Sequence, residues 1–189
     1  MPSTEAVAGR DKERTRKAII EAASQTLYVQ GGGVSLADIA AAAGVSKGAL
    51  THHFASRNAL EEAILADASE KLWDAVHSHV DLSENRPGKL LRGYVRALTD
   101  AENPTVRRLF APTSLLLIIG SAEPAIQGVL RADAQRWREA FAADGLDPAT
   151  SLAVRFAAEG LAGSVGTPYL TASELRTSRA RLLELAEPA

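Results

Sequence analysis

The chain has 189 residues, of which 46% are hydrophobic and 23% charged, a balance that can bury one large or two small cores and excludes a disordered protein. It contains no cysteine, which excludes disulfides, thiolate metal sites and cysteine nucleophiles and suits a reducing cytoplasm. The formal charge of −2 is uneven: residues 1–60 carry seven Lys/Arg against five Asp/Glu and the rest 14 against 18, a basic head on an acidic body that points to a polyanion bound at one end.

Aromatic residues make up only 5% of the chain, and Pro and Gly fall between long helix-forming stretches, so an all-α fold of about nine helices is expected. Residues 1–11 lack an apolar period and are read as a flexible arm without the features of a signal peptide. A first helix is predicted over Lys12 to Gln30, with Ile19, Ile20, Ala23 and Leu27 on one stripe, ended by Gly31, Gly32 and Gly33. Ser35, with Asp38 three residues on, caps a short helix to Ala43, which Gly44 stops. Ser46 caps a second, Lys47 to His53. Ser56 caps a long helix to about Val80 with Leu60, Ile64, Ala68, Leu72, Ala75 and Val76 at helical spacing.

Pro87 starts the next helix, with Leu90, Leu91, Tyr94, Val95 and Leu98, and Asn103-Pro104 is expected to end it. Thr105 to Ser121 is mostly apolar with a kink expected at Pro112. Its uncharged stretch Leu109 to Ala122 is too short to span a bilayer and reads as a core helix. Glu123-Pro124 opens a helix bearing Leu130, Ala134, Trp137 and Phe141, closed by Asp144-Gly145. Asp147-Pro148 opens one of small residues, Ala149, Ala153, Ala157, Gly160 and Gly163, and Thr171 with Glu174 caps the last, bearing Leu175, Leu182 and Leu185.

The segment LADIAAAAGVSKGALTHHF, Leu36 to Phe54, meets the demands of a helix-turn-helix: a small residue where two short helices touch, a glycine in the turn, and apolar inward faces. Ala40 is the close-contact position, Gly44 suits the left-handed conformation, and Ile39, Ala43, Val45 and Leu50 face inward. The outward face of the second helix carries Ser46, Lys47, Thr51 and His52, with Gly48 and Ala49 small enough for close approach. These types suit phosphate and base-edge contacts in a groove. A solvated helical hairpin would show the same pattern.

Arg16 to Ile64 resembles the DNA-binding segment of the tetracycline-repressor (TetR) family, through RKAIIEAASQTLYVQGG, SLADIAAAAGVSKGALTHHF and SRNALEEAI in the family's order and spacing. The resemblance implies a helix-turn-helix domain at residues 12–56 on an effector-binding and dimerisation domain at 57–189. It implies that Ser35 holds a phosphate, that Lys47, Ala49 and His52 face the major groove, and that Arg57 stands where the family often has a phosphate-binding lysine. Thr51 departs from the family's usual tyrosine, and His53-Phe54 matches its His-Phe pair, read as packing. Arg10, Lys12, Arg14 and Arg16 would add arm contacts.

The resemblance further implies a cavity in the body. Trp73, His77, Tyr94, Phe110, Leu116, Trp137 and Phe141 are its candidate lining, suited to an aromatic or amphipathic ligand, with ordinary core as the alternative for each. Arg155 and Glu159, four apart, are a candidate pair. Ala153, Ala157 and Gly160, with Leu175 and Leu182 on the last helix, are candidates for an isologous dimer interface, as in the family. His77 and His79 point apart on a helix, as do His52 and His53. No paired carboxylates, phosphate loop, GxSxG or HExxH is present, so no catalytic constellation, metal or cofactor is expected.

The reading is a cytoplasmic, homodimeric transcription regulator. It acts as a repressor released from palindromic double-stranded operator DNA by a small-molecule effector, without a membrane partner. The alternatives are a helical small-molecule binder or enzyme, or a sequence-independent DNA-binding protein.

Overall fold

The computed structural model describes residues 4–31, 33–111 and 123–188. Among them are nine helices and no strand: α1 Thr4–Gln30, α2 Leu36–Ala42, α3 Lys47–His53, α4 Arg57–Ser78, α5 Lys89–Leu98, α6 Pro104–Leu109, α7 Pro124–Ala143, α8 Pro148–Ser164 and α9 Ala172–Leu185. The chain forms two compact units, Met1–Asp67 with Leu116–Val129, and Ala68–Leu115 with Leu130–Ala189.

In the first unit, the head, α1 packs on α2 and α2 on α3 around Ile19, Ile20, Ala23, Leu27, Ile39, Ala40, Leu50 and Phe54, joined by Leu60 and Ala63 of α4. Those last two explain why the unit ends at Asp67 rather than at Ser56: the head core is incomplete without the first turns of α4. Helix α1 begins at Thr4, so residues 4–11 are helical where an arm was expected. The absence of proline from Thr4 to Gln30, with Ala6, Ala8 and Arg10 as strong helix formers, lets the helix extend towards its N-terminus. Gly44 takes φ +68° between α2 and α3, as the turn requires. Ser46 accepts a hydrogen bond from the Ala49 N–H at 3.0 Å and Ser56 one from Ala59 at 3.1 Å, two of the four caps expected.

In the second unit, the body, α5 packs on α8 and α9, with α9 and α6 also on α8. Its core holds Val76, Leu91, Tyr94, Val95, Leu98, Val106, Trp137, Phe141, Val154, Ala158, Ala162 and Leu182. Helix α5 has no side-chain cap of its own at Gly88; the Asp144 carboxylate accepts the Leu90 and Leu91 N–H groups, both at 2.9 Å. Asn103-Pro104 does not end α5, which stops at Leu98. Asn103 instead caps α6, accepting from Thr105 and Val106 N–H, with Pro104 at its first position, where proline's missing N–H costs nothing. The kink expected at Pro112 lies outside the described residues.

A methyl group at Gly88, φ +85°, would press on the Ala186 carbonyl oxygen and lie 2.6 Å from Leu146 Cδ1 and 2.8 Å from Arg92 Nη1. At Gly145, φ +80°, the nearest atom would be 3.6 Å away. Gly145→Ala is expected to cost the left-handed backbone term alone, about 1–2 kcal/mol, and Gly88→Ala clearly more. Thermal unfolding of the two variants checks this; equal midpoints would mean that the crowded loop yields freely.

Candidate nucleic-acid interface and body site

Helix α3 runs from Lys47 to His53, and Leu50, fully buried, turns it so that Lys47, Gly48, Thr51 and His52 are exposed and Ala49 is half-buried. Lys47 offers a flexible ammonium and His52 an imidazole that donates or accepts, both suited to phosphate or base edges. Ser46 keeps its hydroxyl proton for a further acceptor while its oxygen caps the helix. Phe54 is buried in the head core, with the Arg16 guanidinium 5.1 Å from its ring centroid. His53 is half-buried with Nδ1 enclosed and unpartnered. Its burial, then the charges of His52, Lys12 and Arg16, push its pKa down and keep it neutral. Lys12 and Arg14 are exposed on α1, Arg14 paired with Asp11 at 3.2 Å.

Three other residues carried over from the resemblance are engaged inside the head. The Ser35 hydroxyl donates to Asp38 Oδ2 at 2.6 Å, and the same carboxylate accepts the Ser35 N–H at 3.1 Å; these bonds hold the Asp38 carboxyl below its ordinary range. Thr51 donates its hydroxyl to the Gly48 carbonyl at 3.0 Å. Arg57 donates Nε to Glu61 at 2.7 Å and Nη1 to the Val34 carbonyl at 2.5 Å, which fastens the chain just before α2 to the start of α4. Glu61, four residues after Arg57, was the readable half of that arrangement; the Val34 carbonyl, 23 residues away, gave no sequence signal.

In the body, five of the seven pocket candidates come together. Trp73 lies 4.8 Å from Trp137 and 4.3 Å from His77 between ring centroids. Trp137 is 5.2 Å from Tyr94 and 5.5 Å from Phe141, and Tyr94 is 5.3 Å from Phe141. Phe110 packs against the same core, and Leu116 lies outside the described residues. Tyr94, Trp137 and Phe141 are buried and His77 is exposed. Two ion pairs border the rings. Tyr94 donates its hydroxyl to Glu159 Oε1 at 2.8 Å, which also accepts Arg155 Nε at 2.9 Å. Burial and the Glu159 charge raise the Tyr94 pKa well above its usual value, so the phenol stays a donor. At the other border, Arg136 stacks 3.7 Å over Trp73 and pairs with Glu70 at 2.5 Å.

The dimer candidates divide. Leu175 and Leu182 are buried within the chain, 8% and 7% exposed, Leu182 in the body core, so they are unavailable to a partner. Ala153, Ala157 and Gly160 are exposed on α8, beside Leu152 at 54% and Phe156 at 56%. The leucines of α9 were readable either way, because helical spacing marks an apolar face without saying what covers it.

Residues 88–187 match the family model "Tetracyclin repressor-like, C-terminal domain", and residues 19–64 match "Bacterial regulatory proteins, tetR family". The chain belongs to the TetR family. It is a DNA-binding transcriptional regulator of the helix-turn-helix type and not an enzyme. Among its relatives is the HTH-type transcriptional regulator BetI of Paraburkholderia xenovorans, 27% identical over 181 residues, 88% of this chain and 91% of that protein. A TetR-family member from Streptomyces coelicolor is 28% identical, with a TM-score of 0.68 over 93% of this chain and 99% of that one. The multidrug binding protein EbrR, solved with imidazole, is 28% identical with a TM-score of 0.64 over 94% and 91%. A second EbrR structure holds ethidium. No described helix is long and apolar enough to cross a membrane.

Lys47 is exposed, whereas Arg57 is bonded to Glu61 and the Val34 carbonyl. Lys47→Ala should weaken DNA binding by about 5- to 150-fold, the range for loss of one good groove contact, with an unchanged unfolding midpoint. Arg57→Ala should lower the midpoint as well as the affinity, because it releases Val34 and Glu61. Parallel DNA titrations and thermal melts test this; a destabilised Lys47→Ala or a fully stable Arg57→Ala would contradict the assignment.

Proposed function

We propose that this TetR-family regulator is a cytoplasmic repressor. In this reading it binds a pseudo-palindromic operator as a homodimer, one α3 per half-site in major grooves about 34–36 Å apart, and a small molecule bound in the body releases it. The observation that carries the DNA-binding part is the exposed Lys47, Gly48, Thr51 and His52 face of α3, held in one orientation by buried Leu50. With Ser35, Thr51 and Arg57 bonded internally, Lys47, His52 and Ser46 carry the contacts to DNA, and Ala49 lets the backbone approach.

The dimer is formed by the exposed stripe of α8, Leu152, Ala153, Phe156, Ala157 and Gly160, against the same stripe of a second copy. Its small residues allow close approach, and Leu152 and Phe156 supply the apolar area. The effector site is the aromatic cluster of Trp73, Tyr94, Trp137 and Phe141, whose rings suit a flat ligand. The solved complexes of EbrR with imidazole and ethidium, both planar nitrogen heterocycles, are consistent with that choice.

Fluorescence anisotropy with DNA from upstream of the gene and a scrambled control, at two salt concentrations, tests the regulator. Tight binding to the first alone, with two protomers or a multiple per site, is expected. Equal, salt-sensitive binding to both would favour sequence-independent DNA binding instead. Phe156→Glu is expected to give a monomer by sedimentation and to lose most operator affinity while retaining its fold; a dimer with Glu at this position would move the interface elsewhere.

A further inference from the structure

Within the exposed face of α3, Gly48 and Thr51 stand one turn apart, the spacing at which helix residues are neighbours. Neither favours a seven-residue helix: glycine is the poorest helix former after proline, and threonine is among the weaker ones. The fold does not require the glycine. Gly48 has no positive φ, and a methyl group added to it would meet only Ser46 Oγ, at 3.8 Å, an ordinary contact. A glycine that neither the backbone nor its neighbours need leaves room for something outside the chain.

The chemistry of that room follows from Thr51, whose hydroxyl donates to the Gly48 carbonyl oxygen at 3.0 Å, back along the helix. With Oγ1 turned onto the backbone, the Cγ2 methyl is the group that Thr51 has left for a partner. At 100° per residue the order round the face is Lys47, Thr51, Gly48, His52. The Thr51 methyl and the bare Cα of Gly48 therefore make a small apolar notch between two polar side chains.

In the major groove the base edges present hydrogen-bond donors and acceptors and one apolar group, the C5-methyl of thymine. A notch whose side chains offer no free donor fits that group and has little for a phosphate, whereas Lys47 and His52 on either side supply polar contacts.

We propose that Gly48 and Thr51 make α3 specific for a thymine: Gly48 lets the base edge approach, and the Thr51 methyl packs on the thymine C5-methyl. The proposal rests on the reading of α3 as the recognition helix and adds what this part of it reads.

The test uses the full chain and DNA duplexes selected on it from a randomised pool, which define the half-site. Each thymine of the half-site is then replaced by deoxyuridine, which removes the C5-methyl and leaves the hydrogen-bonding groups of the base in place. One position is expected to lose about fourfold in affinity when changed in one half-site and about 15-fold when changed in both, the effect of one buried methyl group at each. Thr51→Ser keeps the hydroxyl and should bind the thymine and uracil duplexes equally. Thr51→Val keeps a methyl and should retain the preference. Gly48→Ala should weaken binding to the thymine duplex while its unfolding midpoint stays the same or rises, because alanine favours the helix. Thermal melts on all three variants establish that they are folded.

Loss of binding by Thr51→Val with full binding by Thr51→Ser would show that the hydroxyl meets DNA, and the proposal would be overturned. A half-site indifferent to every deoxyuridine, a thymine preference that survives Thr51→Ser, or a Gly48→Ala variant of undiminished affinity would overturn it too, with α3 still the recognition helix. A selection that returns no common sequence would remove that reading as well.

Discussion

Helices α2 and α3 have seven residues each, too few to persist in water without tertiary support, so the head depends on the burial that holds them. Leu50 is the centre of that burial. With Leu50 fixed inward, 100° per residue turns Gly48 and His52 to about 160° away and Thr51 to its flank, while Lys47 stands exposed in the first turn. The face of Gly48 and His52 is thus turned away from the head core, whereas Lys47, about 60° from Leu50, is exposed because it sits at the start of the helix. The same constraint explains why the first turns of α4 belong to the head: Leu60 and Ala63 complete the core that keeps α3 helical. Arg57, one residue inside α4, extends this support to the backbone before α2.

Much of this was legible in the sequence because it is local. Ala40, Gly44 and Leu50 fall at fixed offsets within one segment, and the predicted span of α3, Lys47 to His53, matches the structure. What failed to read was either ambiguous or distant. Asn103-Pro104 suits a helix start as well as an end, and only the place where α5 stops decides between them. Leu175 and Leu182 have the spacing of any apolar face, and their burial comes from α9 packing against α5 and α8. The contact of Arg57 with Val34 spans a turn, two helices and their loops, which no periodicity encodes. The seven pocket candidates came from four separate stretches, yet five meet in one cluster, because large aromatic residues on the inward faces of packed helices have few other places to go.

Helix α5 places two polar side chains in the body interior with different tasks. Arg92, 1% exposed, donates Nε to Glu84 at 2.6 Å and Nη1 to the carbonyls of Pro87 and Ala186 at 2.9 and 2.6 Å, so one buried charge ties the loop before α5 to the end of α9. Glu84 feels opposing influences: burial raises its pKa, and the bonds from Arg92 and Arg96 lower it by more, keeping it charged. A buried charge that lost these partners would be strongly destabilising, so Arg92 and Glu84 act as a structural unit. Tyr94, two residues on, reaches Glu159 of α8 through a single hydrogen bond.

The two groups differ in connectivity. Arg92 is bonded to several groups at once, and freeing it would loosen the loop before α5 and the end of α9 together. In the Tyr94, Glu159 and Arg155 set, one carboxylate oxygen of Glu159 accepts from both of the others. Helix α8 carries this set on a boundary: Val154, Ala158 and Ala162 face the core, whereas Leu152 and Phe156 are exposed. Arg155 lies between those faces, within 5.6 Å of Phe141 on one and 5.4 Å of Phe156 on the other.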